Sequence, residues 1–458
     1  MGDGLVLQGL NDSKNETNNN NKNKKKKKKK RGGGNKKKMT TEQTLALKTV
    51  SEWVFLDHPS PSPDSLCLED DGFGVQKSTV GIGQEEKKVV FELHSHSKFS
   101  DGFLSPSKLL ERAHGNGVKV LALTDHDTMS GIPEALEAAH KYGIKIIPGV
   151  EISTIFSPRG DSEAEEPVHI LAYYSSCGPT RFEELDKFLS NIRDGRFLRA
   201  KNMVLKLNKL KLPLKWEHVC RIAGKGIAPG RLHVARAMLE AGYVENLRQA
   251  FAQYLFDGGP AYSMGSEPLA EEAIKLICQT GGVAVLAHPW ALKNPVSVIK
   301  QLKEAGLHGM EVYRSDGKLA AYDDLADVYG LLKVGGSDYH GRGGRHESEL
   351  GSVNLPVLVL NDFLKLARPI WCEAIREIFE SYAEEPSDTN LASIMRYGRT
   401  LSFNGGSPLS CGKDLIDHYL PLWLTSEEIE NAKFEAIKLK LSNIPVSQEG
   451  IQVLIETK

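Results

Sequence analysis

Histidine and carboxylate residues with the spacing of metal ligands recur along the middle of the chain. Two pairs, His94 with His96 and Asp338 with His340, are each separated by one residue, which places both side chains on one face of an extended segment. Imidazole nitrogens combined with carboxylate oxygens suit Zn, Mn or Fe, whereas a magnesium site is expected to use mostly oxygen. The candidate ligands are His94, His96, Asp101, His126, Glu151, His169, His288, Asp338 and His340. These residue types predict a centre for divalent metal ions.

Short apolar runs precede most of these candidates and are typical of β-strands. The runs are 89–93, 118–123, 144–148, 168–173, 283–287, 310–313 and 332–335, with helix-like stretches such as 107–114 and 133–142 between them. This alternation predicts an α/β domain. Because the parallel strands of a barrel bring their carboxyl ends to one face, residues that follow different strands are expected to converge there.

Each candidate also has a plainer explanation when it is taken alone. His169 lies inside its run, where a histidine is usually a satisfied core residue, and Asp125 or Asp127 could cap a turn. Residues of this kind follow five separate strand-like runs, however, and burying their carboxylates without metals or partners would be costly. The repeated occurrence of such residues after strand-like runs therefore favours a functional cluster.

The composition divides the chain of 458 residues into unlike parts. Residues 1–38 carry thirteen Lys or Arg against three acids, a local charge of +10, so the remainder carries −11 of the net charge of −1. We predict a disordered Lys/Asn-rich tail at 1–40 and a linker at 41–87. The α/β domain is expected in two parts, 88–177 and 266–353, separated by a helical insertion at 178–265 and followed by a mostly helical extension at 354–458.

Features that indicate location point to a soluble intracellular protein. The six cysteines form no CxxC pair and read as reduced thiols, and neither a signal peptide nor a membrane-spanning run is found. The basic run Lys24 to Arg31 could be a nuclear address, could bind a polyanion such as RNA, or could be a solvated tail. Both cytoplasm and nucleus remain open, as does the oligomeric state.

Several ordered motifs resemble those of the polymerase and histidinol phosphatase (PHP) superfamily. They are His94-Ser-His96 with Asp101-Gly, Thr124-Asp-His126-Asp127, Gly149-Val-Glu151, Ala287-His288-Pro and Ser337-Asp338-Tyr-His340, and they span residues 88–353. Within this superfamily the segment Pro229-Gly-Arg231-Leu-His233 is most similar to the nucleoside 3′,5′-bisphosphate phosphatase group, which includes a 5′-to-3′ exoribonuclease. The resemblance implies a distorted (β/α)7 barrel with a helical insertion, and three divalent metal ions, usually Mn²⁺, with Zn²⁺, Fe²⁺ or Mg²⁺ as alternatives.

Roles for individual residues also follow from the resemblance. It implies one ion held by His94, His96, Glu151 and Asp338, a second by Glu151, His169 and His288, and a third by Asp101, His126 and His340. The nucleophile would be a metal-bound water, and Arg231 and His233 would bind a second phosphate of the substrate, a nucleotide or short RNA. Two other hypotheses remain: a different phosphomonoesterase, such as a histidinol phosphate phosphatase, and a nucleic-acid-binding protein with a non-catalytic barrel.

Overall fold

Runs of Val, Ile and Leu form the strands of one mixed sheet. The computed structural model describes residues 39–56, 89–157, 165–224, 226–343, 347–397 and 412–444, so residues 1–38 of the tail predicted at 1–40 and most of the predicted linker lie outside the described residues. The strands are β1 (Val90–Glu92), β2 (Val118–Leu123), β3 (Lys145–Phe156), β4 (Glu166–Tyr173), β5 (Val283–Leu286), β6 (Gly309–Arg314), β7 (Gly317–Lys318) and β8 (Leu332–Gly335).

The sheet has the order β1-β2-β3-β4-β5-β6, with β7 and β8 both paired to β6. Pairing is parallel between β1 and β2, β2 and β3, β5 and β6, and β6 and β8, and antiparallel elsewhere. Between β1 and β8 the described residues form one isolated bridge, Ser95 with Tyr339, in place of a ladder. The structure thus supports an α/β fold but does not show the closed barrel that we predicted. Both strands are short, and the left-handed backbone of Asp338 (φ 52°) interrupts the extended conformation that a ladder needs.

The middle of the sheet corrects two expectations, that Glu151 follows a strand ending near residue 148 and that the strands here are parallel. Strand β3 continues beyond Glu151 to Phe156, so Glu151 lies within a strand. Strand β4 runs antiparallel to β3, which places His169 opposite Ser153. Glu151 and His169 are therefore diagonal neighbours on one face of the sheet, close enough for their side chains to meet.

Both faces of the sheet are buried. Along β2, Leu121 and Leu123 pack on one face with the helices α2 (Pro106–Gly115) and α3 (Ile132–Tyr142), while Val120 and Ala122 point to the other face. Burial on both sides is typical of strands that carry helices on their crossovers. The remaining helices on this part are α8 (Ala270–Gln279), α9 (Pro295–Glu304) and α10 (Ala320–Val328).

The segment predicted as a helical insertion contains α4 (Phe182–Lys209), α5 (Trp216–Ala223), α6 (Arg231–Glu240) and α7 (Leu247–Ala250), which continues into a π-helical turn at Phe251–Leu255. These helices enclose an apolar core of their own that includes Met203, Val234 and Met238. The insertion is thus held together by its own packing, while Leu185, Leu189 and Ile192 of α4 belong to the apolar core of the sheet.

The linker predicted at 41–87 begins with a helix instead, α1 (Thr41–Val54). Ala46, Val50, Trp53 and Val54 are buried on one side of this helix, the i, i+4, i+7, i+8 pattern of an amphipathic helix. Trp53 lies 6.1 Å from Phe91 of β1 and 6.1 Å from Trp371 of α11 (Val357–Glu384), measured between ring centroids. Apolar packing therefore fixes α1 against the sheet.

The C-terminal extension is helical where it is described. It contains α11, α12 (Asp388–Met395), α13 (Gly412–Trp423), α14 (Ser426–Ile429) and α15 (Ala432–Leu441). Together with α1, α11 covers the face of the sheet to which Val120 and Ala122 of β2 point. Cys177, Cys220, Cys278 and Cys372, the described cysteines, are free thiols. No helix within the described residues is both long and apolar enough to cross a membrane.

Candidate metal centre

The nine predicted ligands converge around the buried carboxylate of Glu151. Glu151 Oε2 lies 3.2 Å from His94 Nε2, 3.1 Å from His96 Nε2 and 3.4 Å from His126 Nδ1. An isolated parallel bridge between His126 and Glu151 sets the last of these distances. The histidines that follow β1 and β2 therefore contact the same oxygen of Glu151, a residue of β3.

The other carboxylate oxygen of Glu151 faces β4 and the end of β5. Oε1 lies 2.9 Å from His169 Nδ1 and 3.0 Å from His288 Nε2. The backbone of His288 is left-handed (φ 28°), and such strain in a residue with a side chain is typical of functional sites. Glu151 thus contacts five histidines from four separate segments with its two oxygens.

Two further carboxylates complete the cluster at its outer side. Asp338 Oδ1 lies 3.4 Å from His94 Nε2 and 3.2 Å from His96 Nε2. Asp101 Oδ1 lies 3.2 Å from His340 Nε2. The ligand atoms form three groups, in each of which they lie within 4.8 Å of one another: His94, His96, Glu151 and Asp338; His96, Asp101, His126 and His340; and His126, Glu151 and His169.

The cluster fits metal ions because some of its buried polar atoms form no hydrogen bond of good geometry within the protein. Among the described residues, His96 Nδ1, His126 Nδ1 and Asp101 Oδ1 are buried and form no hydrogen bond of good geometry, although the last two lie within ion-pair distance of Glu151 and His340. An unsatisfied buried polar group costs about 1–3 kcal/mol. Several such atoms among the candidate ligands would be costly in a purely structural arrangement, whereas divalent cations would satisfy them. The donor set, imidazole with carboxylate, suits the same conclusion.

Protonation of the cluster follows the arrangement of its charges. Against the opposing effect of burial, hydrogen bonds to Asp338 and Glu151 raise the pKa of His96 to about 10. Burial also opposes ionisation of Glu151, but the surrounding His126, His94 and His169 keep its pKa well below the usual range. The pKa values of Asp101 and Asp338 are likewise lowered by the neighbouring histidines against the effect of burial, so these three carboxylates are ionised at neutral pH. A cation that binds to His96 has to displace its proton, so metal binding is expected to release protons.

Two buried acids that the sequence analysis missed support the ligands from behind. Glu311 of β6 lies 3.1 Å from His94 Nδ1 and accepts the N–H of His288 at 2.7 Å. Glu92 of β1 accepts the N–H groups of His94, Ser337 and Gly351 at 3.2, 2.9 and 2.8 Å, and so joins the chain beyond β1 to the chain beyond β8. Both could have been identified in the sequence, because each is a glutamate inside an apolar strand-like run.

The Asp125 and Asp127 carboxylates, whose roles the sequence left open, are both structural. Asp125 accepts hydrogen bonds from the N–H of Ser97 at 2.7 Å, and from the hydroxyls of Ser97 and Ser100 at 2.7 and 2.6 Å. Asp127 Oδ2 lies 2.7 Å from Arg196 Nε, so it ties the insertion to the metal centre. Neither Arg193 nor Arg196 was predicted, although both bind Asp127. Arg193 Nη1 donates a hydrogen bond to the backbone carbonyl oxygen of Asp127 at 2.7 Å.

A cavity of about 320 Å³ extends from the ligands into the insertion, and we call it the arginine cavity. It is lined by Asp101, His126 and His169 and by four arginines, Arg196, Arg199, Arg231 and Arg342. The predicted phosphate-binding Arg231 is therefore in the cavity, where its Nη1 lies 2.6 Å from Asp257 Oδ1. A pocket of this size is in the range that small-molecule ligands occupy.

His233, the second predicted phosphate contact, is placed differently. It lines an adjoining cavity, is buried to 3% exposure, and accepts the N–H of Gly230 at 2.9 Å through Nδ1 at the start of α6. Burial lowers the pKa of His233 to about 4, so the ring is neutral at pH 7. Its visible role is therefore to cap the helix that carries Arg231.

Comparison with known proteins shows which family the chain resembles. Residues 92–215 match the PHP domain family. A 3′,5′-nucleoside bisphosphate phosphatase of Chromobacterium violaceum is 33% identical over 294 residues, which cover 62% of this chain and 95% of that protein. A 5′-3′ exoribonuclease of Haemophilus influenzae is 35% identical over 264 residues, which cover 55% of this chain and 89% of that protein.

A solved structure has a similar fold over the same region. It comes from Bifidobacterium adolescentis, bears the name metal-dependent phosphoesterase, and matches with a TM-score of 0.52 and 29% identity over 60% of this chain and 95% of its own. The resemblance inferred from the sequence motifs is thus confirmed. With its histidine and carboxylate cluster intact and a relative at 33% identity covered almost from end to end, this chain belongs to the PHP family and is a metal-dependent hydrolase of phosphoester bonds.

Proposed function

We propose that this enzyme hydrolyses nucleotide phosphates, removing the 3′-phosphate of nucleoside 3′,5′-bisphosphates and trimming short 5′-phosphorylated RNA. The observation that carries the proposal is the arginine cavity, which joins candidate ligands such as His126 and His169 to Arg231 in one space. Both substrates have a second phosphate beside the bond to be cut, so one site could act on both. The names of the two curated relatives favour the same substrates.

Three divalent ions, with Mn²⁺ as the favoured metal, are part of this proposal. The first would be held by His94, His96, Glu151 and Asp338, the second by Glu151, His169 and His288, and the third by Asp101, His126 and His340. The first set coincides with one of the geometric groups, and the third lies within another. Such ions, when bound, polarise a phosphoryl group and lower the pKa of water.

Residues around the ions would hold the substrate and the ligands in place. Arg231 would bind the second phosphate, since a planar guanidinium can donate two parallel hydrogen bonds to it. Arg199 Nη1 lies 2.6 Å from Glu267 Oε1, which holds its charge at the wall of the same cavity. Glu311 would keep the His94 proton on Nδ1 and so leave Nε2 free for metal.

The apolar part of the arginine cavity favours a nucleotide over a smaller phosphate ester. Phe251, Tyr262 and Met264 line it, and all three belong to the insertion. Phe251 opens the π-helical turn, a rare conformation that often occurs at functional sites. Aromatic rings in this position offer a surface on which a base could stack, at about 1–3 kcal/mol per base.

The proposal is tested by Mn²⁺-supported hydrolysis of adenosine 3′,5′-bisphosphate and of a short 5′-phosphorylated RNA. Asp338→Ala should abolish both activities because it removes a ligand, and Arg231→Ala should raise KM for the bisphosphate by about 10-fold or more, since a hydrogen bond to a charged group contributes about 1.5–3 kcal/mol. Matched controls are Asp316→Ala, an exposed carboxylate in the turn after β6, and Arg248→Ala, an exposed arginine of the insertion. Inactivity of metal-loaded wild-type protein on both substrates would rule out the nucleotide assignment.

A further inference from the structure

Arg342 differs from the other arginines of the cavity in its position in the fold. It follows β8 and lies two residues beyond His340, between Gly341 and Gly343, which both have left-handed backbones (φ 74° and 68°). The carboxylate of Glu347 accepts the N–H groups of His340, Arg342 and Gly343 at 3.0, 3.1 and 2.7 Å. These three hydrogen bonds fix the backbone that presents Arg342 to the cavity.

The partner of Arg342 is the second distinguishing feature. Arg342 Nη2 lies 3.2 Å from Asp101 Oδ2, while the other oxygen of Asp101 faces His340 Nε2. Arg196, Arg199 and Arg231 also pair with acids, namely Asp127, Glu267 and Asp257, but none of these acids is a candidate metal ligand. Arg342 therefore places a positive charge directly beside the metal cluster.

The guanidinium of Arg342 retains the capacity to bind a ligand. It has five N–H groups, and its one ion-pair partner within the described residues is Asp101. Its side chain is 41% exposed and lines the arginine cavity together with His126 and His169. A cation bound to Asp101 would share the negative charge of that carboxylate, which would leave more of the arginine's field directed at an anion in the cavity.

We infer that Arg342 is a substrate-contacting residue that donates hydrogen bonds to the phosphoryl group held at the metal cluster, whereas Arg231 serves the more distant phosphate. The inference rests on the proposed function for its substrate, but the chemistry it requires is only that of a phosphate dianion. A charge-assisted hydrogen bond from arginine in this position would also stabilise the negative charge that builds on the phosphoryl oxygens during hydrolysis.

The test compares Arg342→Ala and Arg342→Lys with wild-type protein loaded with Mn²⁺. Inorganic phosphate is the probe, and its Kd is measured by calorimetry while metal content is measured by elemental analysis. We expect Arg342→Ala to weaken phosphate binding by about 10- to 100-fold with unchanged metal content, since hydrogen bonds to charged groups are of this strength. Arg342→Lys should restore part of the affinity, because it keeps the charge without the planar fork.

Arg112→Ala is the matched control, since Arg112 also pairs with an acid, Glu349, but lies outside the arginine cavity. It should bind phosphate as wild type does. Wild-type phosphate affinity in Arg342→Ala would overturn the inference. A parallel loss of metal would also overturn it, since Arg342 would then act only by positioning Asp101. If wild-type protein binds phosphate but hydrolyses neither nucleotide substrate, the proposed function fails while the binding comparison still decides the role of Arg342.

Discussion

The ion pair between Asp127 and Arg196 joins the metal centre to the insertion, and its disruption should destabilise the protein through the charge left behind. The Asp127 carboxylate is fully buried, with Oδ2 2.7 Å from Arg196 Nε and Oδ1 accepting the N–H of Ser153 at 2.7 Å. Burial raises the pKa of Asp127 and the Arg196 guanidinium opposes the rise, so the pair offsets only part of its desolvation cost. Removing one partner of such a pair typically costs 3–5 kcal/mol.

We expect Asp127→Asn to lower the free energy of unfolding by about 3 kcal/mol, the lower end of that range. Asparagine keeps the shape, tolerates the left-handed backbone at this position (φ 55°) and can still accept the hydrogen bond from Ser153. The loss then comes mainly from the guanidinium of Arg196, which is only 19% exposed and no longer neutralised. Combining Asp127→Asn with Arg196→Met should restore about 1–2 kcal/mol of the lost free energy of unfolding, because the double variant has no unpaired buried charge.

Urea unfolding of the chelator-treated proteins measures these changes without a contribution from metal binding. The control is Asp186→Asn, since Asp186 Oδ1 lies 3.2 Å from Arg193 Nη2 but its side chain is 49% exposed. An exposed pair of this kind contributes about 1 kcal/mol at most. If Asp127→Asn proves as mild as this control, or if the double variant loses as much stability as the two single variants together, the stranded charge is not the cause.

Three further predictions concern other parts of the structure. Glu311→Gln removes the charge behind His94 and should weaken Mn²⁺ binding by about 10- to 100-fold in calorimetry; unchanged affinity would contradict its supporting role. The pKa of His233 is about 4 in the folded state against 6.5 ordinarily, so on acidification the unfolded chain binds the proton first. The free energy of unfolding should therefore fall by up to about 3 kcal/mol as the pH drops from about 6.5 to 4. His233→Asn should therefore flatten the pH dependence of the urea midpoint over that range, and equal slopes would refute the assignment. Trp53→Ala should cost about 3–5 kcal/mol in urea unfolding, whereas Leu45→Ala, on the exposed side of α1, should cost less than about 0.5; similar small losses in both would show that α1 is not packed on the body.

Predictions from local pattern succeeded where a strong chemical preference acts along the chain itself. The apolar runs at 118–123 and 332–335 coincide with β2 and β8, because Val, Ile and Leu in short blocks favour buried strands. The candidate ligands found by type and spacing, such as His94 and His96, also lie close together as expected. Helix α1 was missed although its apolar residues have helical spacing, since the neighbouring Lys-rich and Pro-rich segments gave the region the composition of a linker.

Pairings between distant segments could not be predicted in this way. The antiparallel course of β4, which brings His169 to Glu151, depends on which strand β3 finds as its neighbour. Likewise, nothing in the local sequence connects Arg196 with Asp127 or Arg342 with Asp101, 241 residues apart. Such contacts are set by the way in which the insertion and the loop after β8 pack on the sheet.

The sequence by itself determined which residues have the chemistry of metal ligands, since imidazole and carboxylate donors are properties of the side chains, and it placed most of them after apolar strands. Only the tertiary structure decided how those ligands group around Glu151, that the sheet does not close by a ladder between β1 and β8, and which arginines share the cavity with the cluster. The physical reason is that ligand type is encoded residue by residue, whereas distances between side chains depend on long-range packing and on the burial of charges that only the folded chain brings together.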